Sequence, residues 1–435
     1  MSSDKFGSRF GAVLAAAGSA VGLGNVWRFP YIAGQDGGAA FLLLYVFFTA
    51  LISIPVLIAE FSIGRMSGKP VTSAFSSLAP GGHWGALGFC GMLTAFLIMS
   101  YYNIVSGWTL YYSVASVGGW LDGLSESEVA GFFSSLSSDP FRCVIWMLVM
   151  LGATAAVVAK CVAGGIEKYS KLLMPLLLVL ILLMLVRAVT LDGGLAGLRF
   201  FLQPDFSKLT PRAVFDALGQ SFFSMSIGMG TMTTYGSYIS RKQNLTASAV
   251  QVACIDFFVA FLAGAVIFPC VFAFGVNPGQ GRGLVFVTLP NIFNQMPYGF
   301  VVSTVFFLLL VVAALTSSVS LLEVVVAYFV NSFHFGRRKA TVIASFLTMI
   351  CGLACALSPT VFEIFEKSTA NVLMPVGALF IVYFAAHKID PSQLKAELEA
   401  HGAPCRLFPL ILFLLKFVIP VAILLIFANG LLNHE

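Results

Sequence analysis

The chain has 435 residues, of which 59% are hydrophobic, 14% aromatic and 10% charged, with a mean hydropathy of +0.94. Soluble domains carry about a quarter charged residues, so a water-soluble globule is excluded. A net charge of +5 from 24 Lys and Arg against 19 acids implies no nucleic acid, and the 8 Cys show no CxxC or Cys/His spacing, so neither a disulfide framework nor a Cys/His metal centre is expected.

The first hydrophobic window, 10–34, follows Lys5 and Arg9. It has the start of a secretory signal, but Asn25, Arg28 and Pro30 follow without a small-residue cleavage pattern, so it reads as a membrane helix. Further windows fall at 39–64, 84–118, 140–160, 165–186, 213–238, 244–274, 298–330, 338–357, 361–385 and 405–430, giving about eleven spans. Runs such as Leu172 to Val186 are continuous rather than alternating, which excludes a β-barrel. The fold class is therefore an all-α polytopic membrane protein.

With the N-terminus in the cytoplasm, the basic residues near Lys5, Arg65, Lys168, Arg241, Arg338 and Lys395 fall inside. Fewer fall outside: Arg142, Arg187, Arg199, Lys208, Arg212, Arg282 and Lys367. That bias places the C-terminus outside. No connection, including Asp122 to Asp139 and Leu191 to Arg212, is long enough for a soluble domain, so function resides in the bundle.

Two windows differ from the rest. The first carries Gly18, Gly22 and Gly24 before Asn25, Arg28 and Pro30, and the sixth carries Gly228, Gly230 and Gly236 among Ser and Thr. Glycine weakens a helix, although in membranes it also permits close packing. Interrupted spans five apart suggest a five-plus-five inverted repeat with helices 1 and 6 broken at the midplane: 1–186, then 187–385, with 386–435 as an added helix. Unwound backbone in lipid needs partners. Half-helix N–H groups suit a carboxylate, and freed carbonyls with Ser, Thr or Asn oxygens suit sodium. Ser224, Ser226, Thr316, Ser317 and Ser318 supply hydroxyls, though such groups often bond to their own preceding turn.

The run Gly18-Ser19-Ala20-Val21-Gly22-Leu23-Gly24-Asn25-Val26-Trp27-Arg28-Phe29-Pro30 resembles the first-helix signature of the neurotransmitter:sodium symporters. Asp36-Gly37-Gly38, Glu60 to Arg65, Tyr101-Tyr102 with Trp108, Phe222-Phe223-Ser224, Tyr235 to Tyr238 and Leu315 to Ser318 extend the likeness over nearly the whole chain. It is most similar to the bacterial amino-acid branch, which includes transporters of many hydrophobic amino acids.

The resemblance implies two sodium ions. One would be held by Ala20, Asn25, Ser224, Asp256 and the substrate carboxylate, and the other by Gly18, Val21, Ala313, Thr316 and Ser317. It implies that Leu23 and Gly24 amides and the Tyr102 hydroxyl receive the substrate carboxylate, and that carbonyls near Ala20, Phe223 and Ser226 receive its ammonium. Val105, Met229, Ser317 and Leu321 would wall the side-chain pocket, with Phe223 as lid. Asp256 stands where most relatives have Asn. A carboxylate in an apolar window is costly unless neutralised, so it would replace a chloride, the alternative being a protonated or hydroxyl-bonded Asp. Tyr45 and Gln220 match other chloride-site positions, which leaves a residual anion site open. Met229 replaces a frequent aromatic and favours bulky hydrophobic substrates, unless it simply packs.

Arg28 with Glu366, or Glu363, would form the outer gate. Lys5 or Arg9 with Ser237 and Tyr238 would form the inner one, weakened by Asn331 where many relatives have an acid. Trp27 is either a gate or an interfacial anchor. Gly165 and Pro175 make the fifth helix able to unwind inward, or mark an ordinary kink. Together these imply a sodium-coupled symporter importing amino acids by alternating access in a bacterial inner membrane, with no obligate protein partner. An amino-acid sensor or channel is the rival. No HExxH, GxSxG or paired Asp pattern supports an enzyme.

Overall fold

The computed structural model describes residues 5–275 and 283–432; Arg282, assigned above to the outer side, lies outside them. Every regular element among the described residues is helical. Among the described residues nine helices are long and apolar enough to cross a membrane. We number them with the broken pairs in chain order: span 2 Ala39–Ser67, span 3 Trp84–Val117, span 4 Pro140–Val158, span 5 Ala163–Val189, span 7 Leu245–Ala273, span 8 Gly299–Phe333, span 9 Arg337–Leu357, span 10 Pro359–Lys388 and span 11 Phe408–Gly430.

Span 1 is the pair Arg9–Ala20 and Gly24–Gln35, bent by 53°. Span 6 is the pair Pro211–Ser224 and Thr231–Tyr238, separated by residues 225–230. The second half of span 6, 8 residues rich in Thr and Ser, is too short and polar to register as a crossing helix alone. Each of the eleven windows thus corresponds to one observed span.

Local chemistry sets the ends. Thr210 accepts from the Ala213 amide ahead of Pro211 at the first turn of span 6, and Asn244 accepts from the Ala247 amide to start span 7. Both satisfy donors that a helix leaves open. Spans 3 and 8, with 34 and 35 residues, are the longest helices and pack along each other as the backbone of the bundle. Hydroxyls of Ser116 and Ser303 meet across them at 2.8 Å. The described cysteines are all free.

The break in span 6 has its own support. Glu60 of span 2, fully buried, accepts from the Gly228 amide at 2.9 Å, the Thr233 amide at 3.1 Å and the Thr233 hydroxyl at 2.9 Å. The two amides are backbone donors that a continuous helix would have satisfied itself. Gly228 has φ +83°, and a Cβ there would stand 2.4 Å from the Met374 carbonyl oxygen, so both conformation and space require glycine.

Candidate functional site

Four spans converge on the two breaks. Val21 leaves helical geometry with ψ 105°, which frees carbonyls at the end of the inner half of span 1. Asn25 opens the outer half; its side-chain oxygen accepts from the Gly22 amide at 3.2 Å and its amide nitrogen donates to Asp256 Oδ1 at 2.7 Å and Ser224 Oγ at 3.1 Å. Ser224 Oγ lies 2.8 and 2.7 Å from the two Asp256 carboxylate oxygens, and the Tyr45 hydroxyl donates to Oδ2 at 2.8 Å. Asn25 and Asp256, each fully buried, are thus in direct contact across spans 1 and 7.

A second oxygen cluster lies against span 8. Ser317 Oγ stands 3.5 Å from the Gly18 carbonyl oxygen, 3.4 Å from that of Ser19 and 3.3 Å from that of Val21. The Thr316 hydroxyl donates to the Ala313 carbonyl at 3.0 Å. A Cβ on Gly22 would stand 2.6 Å from Ser317 Oγ, so glycine lets the two spans approach. The first cluster contains a carboxylate and the second is built of neutral oxygens. Hard oxygen donors of both kinds suit an alkali cation.

Between the clusters is a cavity of about 50 Å³ lined by Ala20, Leu23, Gly24, Asn25, Tyr102, Phe223, Ser224, Ser226, Met229, Ser317 and Leu321, together with Ser19, Gly22 and Ile98. The Leu23 amide donates to the Tyr102 hydroxyl at 3.3 Å. Ser226, with φ +53° in the second break, donates to the Ser19 carbonyl at 3.0 Å and so stitches one break to the other. Val105 is placed differently. It lines the outer vestibule, of about 310 Å³, and does not line the central cavity.

Phe223 lines both spaces and forms the partition between them. The Arg28 guanidinium sits 4.6 Å from its ring centroid, within cation–π range. Arg28 shares the vestibule with Glu366, whereas Glu363 pairs with Lys367 at 3.4 Å on an exposed surface. Arg28 also shares a smaller cavity with Asp216 of span 6.

At the other end of the bundle Lys5, Ser237 and Tyr238 line one cavity of about 590 Å³. The contacts around it are made largely by neighbours of the expected residues. Phe6 donates its amide to the Tyr238 carbonyl at 3.1 Å and packs edge-on to Tyr235 and Tyr238. Gly7 and Ser8 both donate to Glu167 at the start of span 5. Tyr238 donates to Glu323 at 2.7 Å, and Arg337 pairs with the same carboxylate at 2.5 Å. Arg9 is exposed, and Asn331 donates to Ser73 at 2.7 Å.

Sequence reasoning quoted Glu60 as part of a motif without giving it a role, and passed over Glu167, Glu323 and Ile98. Glu60 and Glu323 stand inside apolar runs, the same signal that singled out Asp256, whereas Glu167 sits among Lys160, Lys168 and Lys171 and carries no such signal. Ile98 lies four positions before Tyr102, one helical turn along the same face, while Val105 lies three beyond it and one turn outward.

Eleven spans with two broken at a shared buried polar cavity define a membrane carrier built on discontinuous helices. The chain belongs to the sodium:neurotransmitter symporter family, which it matches over residues 3–123 and 136–435. It is 38% identical over 437 residues to an uncharacterised sodium-dependent transporter of Bacillus subtilis, covering 98% of this chain and 97% of that protein. It is 28% identical to the sodium- and chloride-dependent taurine transporter of Bos taurus, covering 88% and 70%. The solved structure of MhsT in complex with L-phenylalanine superimposes with a TM-score of 0.89 at 40% identity, covering 98% of this chain and 99% of that one. The chain is accordingly a multi-pass, sodium-dependent transporter and not an enzyme.

Proposed function

We propose that the protein imports hydrophobic amino acids with two sodium ions, without chloride, by alternating access. The observation that carries this reading is the central cavity, bounded at once by both helix breaks and both oxygen clusters. Asn25, Ser224 and Asp256, with the Ala20 carbonyl, hold one sodium. Gly18, Val21, Ala313, Thr316 and Ser317 hold the other. The substrate carboxylate takes the Leu23 and Gly24 amides and the Tyr102 hydroxyl, displacing the contact that Leu23 and Tyr102 make with each other, while Met229, Leu321 and Ile98 face its side chain. A sodium touching that carboxylate couples ion and substrate in one contact.

The ligand of MhsT, L-phenylalanine, supports a hydrophobic substrate. The contact of Asp256 with Asn25, Ser224 and Tyr45 supports a fixed negative charge in place of chloride. Phe223 and Arg28 close over the loaded site, with Glu366 completing the outer gate. Lys5 and Tyr238 belong to the inner one. The halves 1–186 and 187–385 act as inverted repeats about the site, with 386–435 appended, in a bacterial inner membrane with the N-terminus inside.

Uptake of all twenty amino acids into proteoliposomes, with and without a sodium gradient, tests the reading. Saturable sodium-driven uptake of hydrophobic ones and counterflow exchange are expected; binding without counterflow identifies a sensor. Asp256→Asn is expected to make uptake respond to chloride, and an unresponsive variant defeats the chloride-replacement assignment.

A further inference from the structure

A mainly apolar recess lies away from the transport path, between the cytoplasmic ends of spans 3 and 10. It encloses about 460 Å³ and is lined by His83, Trp84, Leu87, Cys90, Gly377 and Phe380, among others. Its lining runs from Val376 to Phe380 on span 10 and from Trp84 to Cys90 on span 3, the latter about 9 Å at 1.5 Å per residue. That is more than half the depth of one hydrocarbon leaflet and suits an acyl chain lying along the bilayer normal.

The polarity of the groove is graded along this axis. Its deep end is Cys90, Val376, Gly377 and Phe380, with Phe380 47% exposed. Its cytoplasmic end is an aromatic and cationic rim. Trp84 stacks on Tyr383 at 6.2 Å, Tyr383 stacks on His387 at 4.9 Å, and Lys388 Nζ lies 5.8 Å above the Trp84 ring. His83 lies beside Trp84, exposed. The neighbouring acid, Asp390, is turned into the cap of the following helix, where it accepts from the Ser392 amide at 2.7 Å and hydroxyl at 2.5 Å. Trp and Tyr favour the headgroup level, and Lys and His there attract phosphate.

We propose that this groove is a binding site for an anionic phospholipid, its acyl chain along Val376 and Phe380 and its phosphate against Lys388 and His83. A zwitterionic lipid would bring its own cation to the rim. A second copy of the chain would need an acid there. The charge of the rim favours the anionic lipid over both.

Native mass spectrometry of the full-length protein, delipidated and then titrated with phosphatidylglycerol or phosphatidylcholine of equal chain length, tests it. Wild-type protein is expected to retain phosphatidylglycerol at least about fivefold over phosphatidylcholine. Lys388→Glu should abolish that preference, and Ala86→Trp, which fills the groove, should reduce retention of both. Lys388 is exposed and lies outside the transport site, so Lys388→Glu should elute as a monodisperse, folded protein. Equal retention of the two lipids by the wild type, or undiminished phosphatidylglycerol retention by both variants, overturns the proposal. So does competition by glycerol phosphate as effective as by the intact lipid, which would indicate a headgroup site without a chain seat.

Discussion

The two breaks solve the same problem by different means. In span 1 only residues 21–23 separate the half-helices, and the freed carbonyls of Gly18, Ser19 and Val21 are answered only by hydroxyls, Ser317 within 3.5 Å of all three and Ser226 at that of Ser19. In span 6 residues 225–230 are unwound, left-handed φ values occur at Ser226, Gly228 and Gly230, and a buried carboxylate, Glu60, holds the donors. The first break is thus poised for a cation to supply what its carbonyls lack. The second is braced by the protein itself. On the proposed reading, one broken helix serves chiefly as ligand set and the other chiefly as frame, and both reach Asp256, through Asn25 and Ser224.

Removing the shared carboxylate breaks the comparison most severely. Asp256→Ala leaves Asn25, Ser224 and Tyr45 without a common partner. Loss of one member of a buried charged network costs about 3–5 kcal/mol, so sodium-driven uptake should fall by more than about 100-fold. Proteoliposome uptake measures this, and retention of even a tenth of the wild-type rate would show that Asp256 is not shared by ion and scaffold.

Glu60→Ala separates frame from ligand. It orphans three donors in the second break, and at about 1 kcal/mol or more each the folded state should lose about 3 kcal/mol. The thermal unfolding midpoint in detergent should drop by several degrees, by an amount that saturating sodium does not restore. Ser317→Ala does the reverse: a neutral oxygen contributes about 1 kcal/mol, so the sodium concentration for half-maximal uptake should rise about fivefold with little change in the midpoint. If both variants moved the same readout, the division of labour would be refuted.

Much of this arrangement was legible in the sequence because membrane burial makes polar residues conspicuous. Asn25 and Asp256 stand out in apolar windows, and the glycine clusters mark both breaks. The span boundaries agree with the windows because one side of most spans faces lipid and has no other reason to be apolar. What escaped depended on three dimensions. The carboxylate of Glu60 carries the same polar signal as Asp256, but that it braces span 6 follows only from the packing of spans 2 and 6. Val105 shares a helix with Tyr102, yet one turn of offset puts it above the Phe223 partition. The contacts of Phe6 with Tyr235 and Tyr238 escaped because an aromatic and a backbone amide carry no charge signature, and those of Glu167 because an acid among lysines reads as a solvated surface group.

The smallest expected effect concerns the outer ends of the same two spans. Asp36 follows the outer half of span 1, nearly buried, with Oδ2 lacking a hydrogen-bond partner among the described residues. Burial, and then the adjacent Asp216 of span 6, raise its carboxyl from 3.8 to about 6, with Arg212 opposing. The folded protein therefore binds a proton there that the unfolded chain releases between 3.8 and about 6. The stabilisation is full below the lower value and is lost as pH rises through the upper one. At neutral pH the ionised Asp36 then lies beside Asp216 at the outer ends of spans 1 and 6. Because Asp36 remains partly accessible to solvent screening, Asp36→Asn should raise the unfolding midpoint at pH 7.5 by only about 1–2 °C. At pH 5 the gain should be smaller and below 3.8 it should vanish, and a gain of equal size at every pH would place the cost of Asp36 in packing rather than charge.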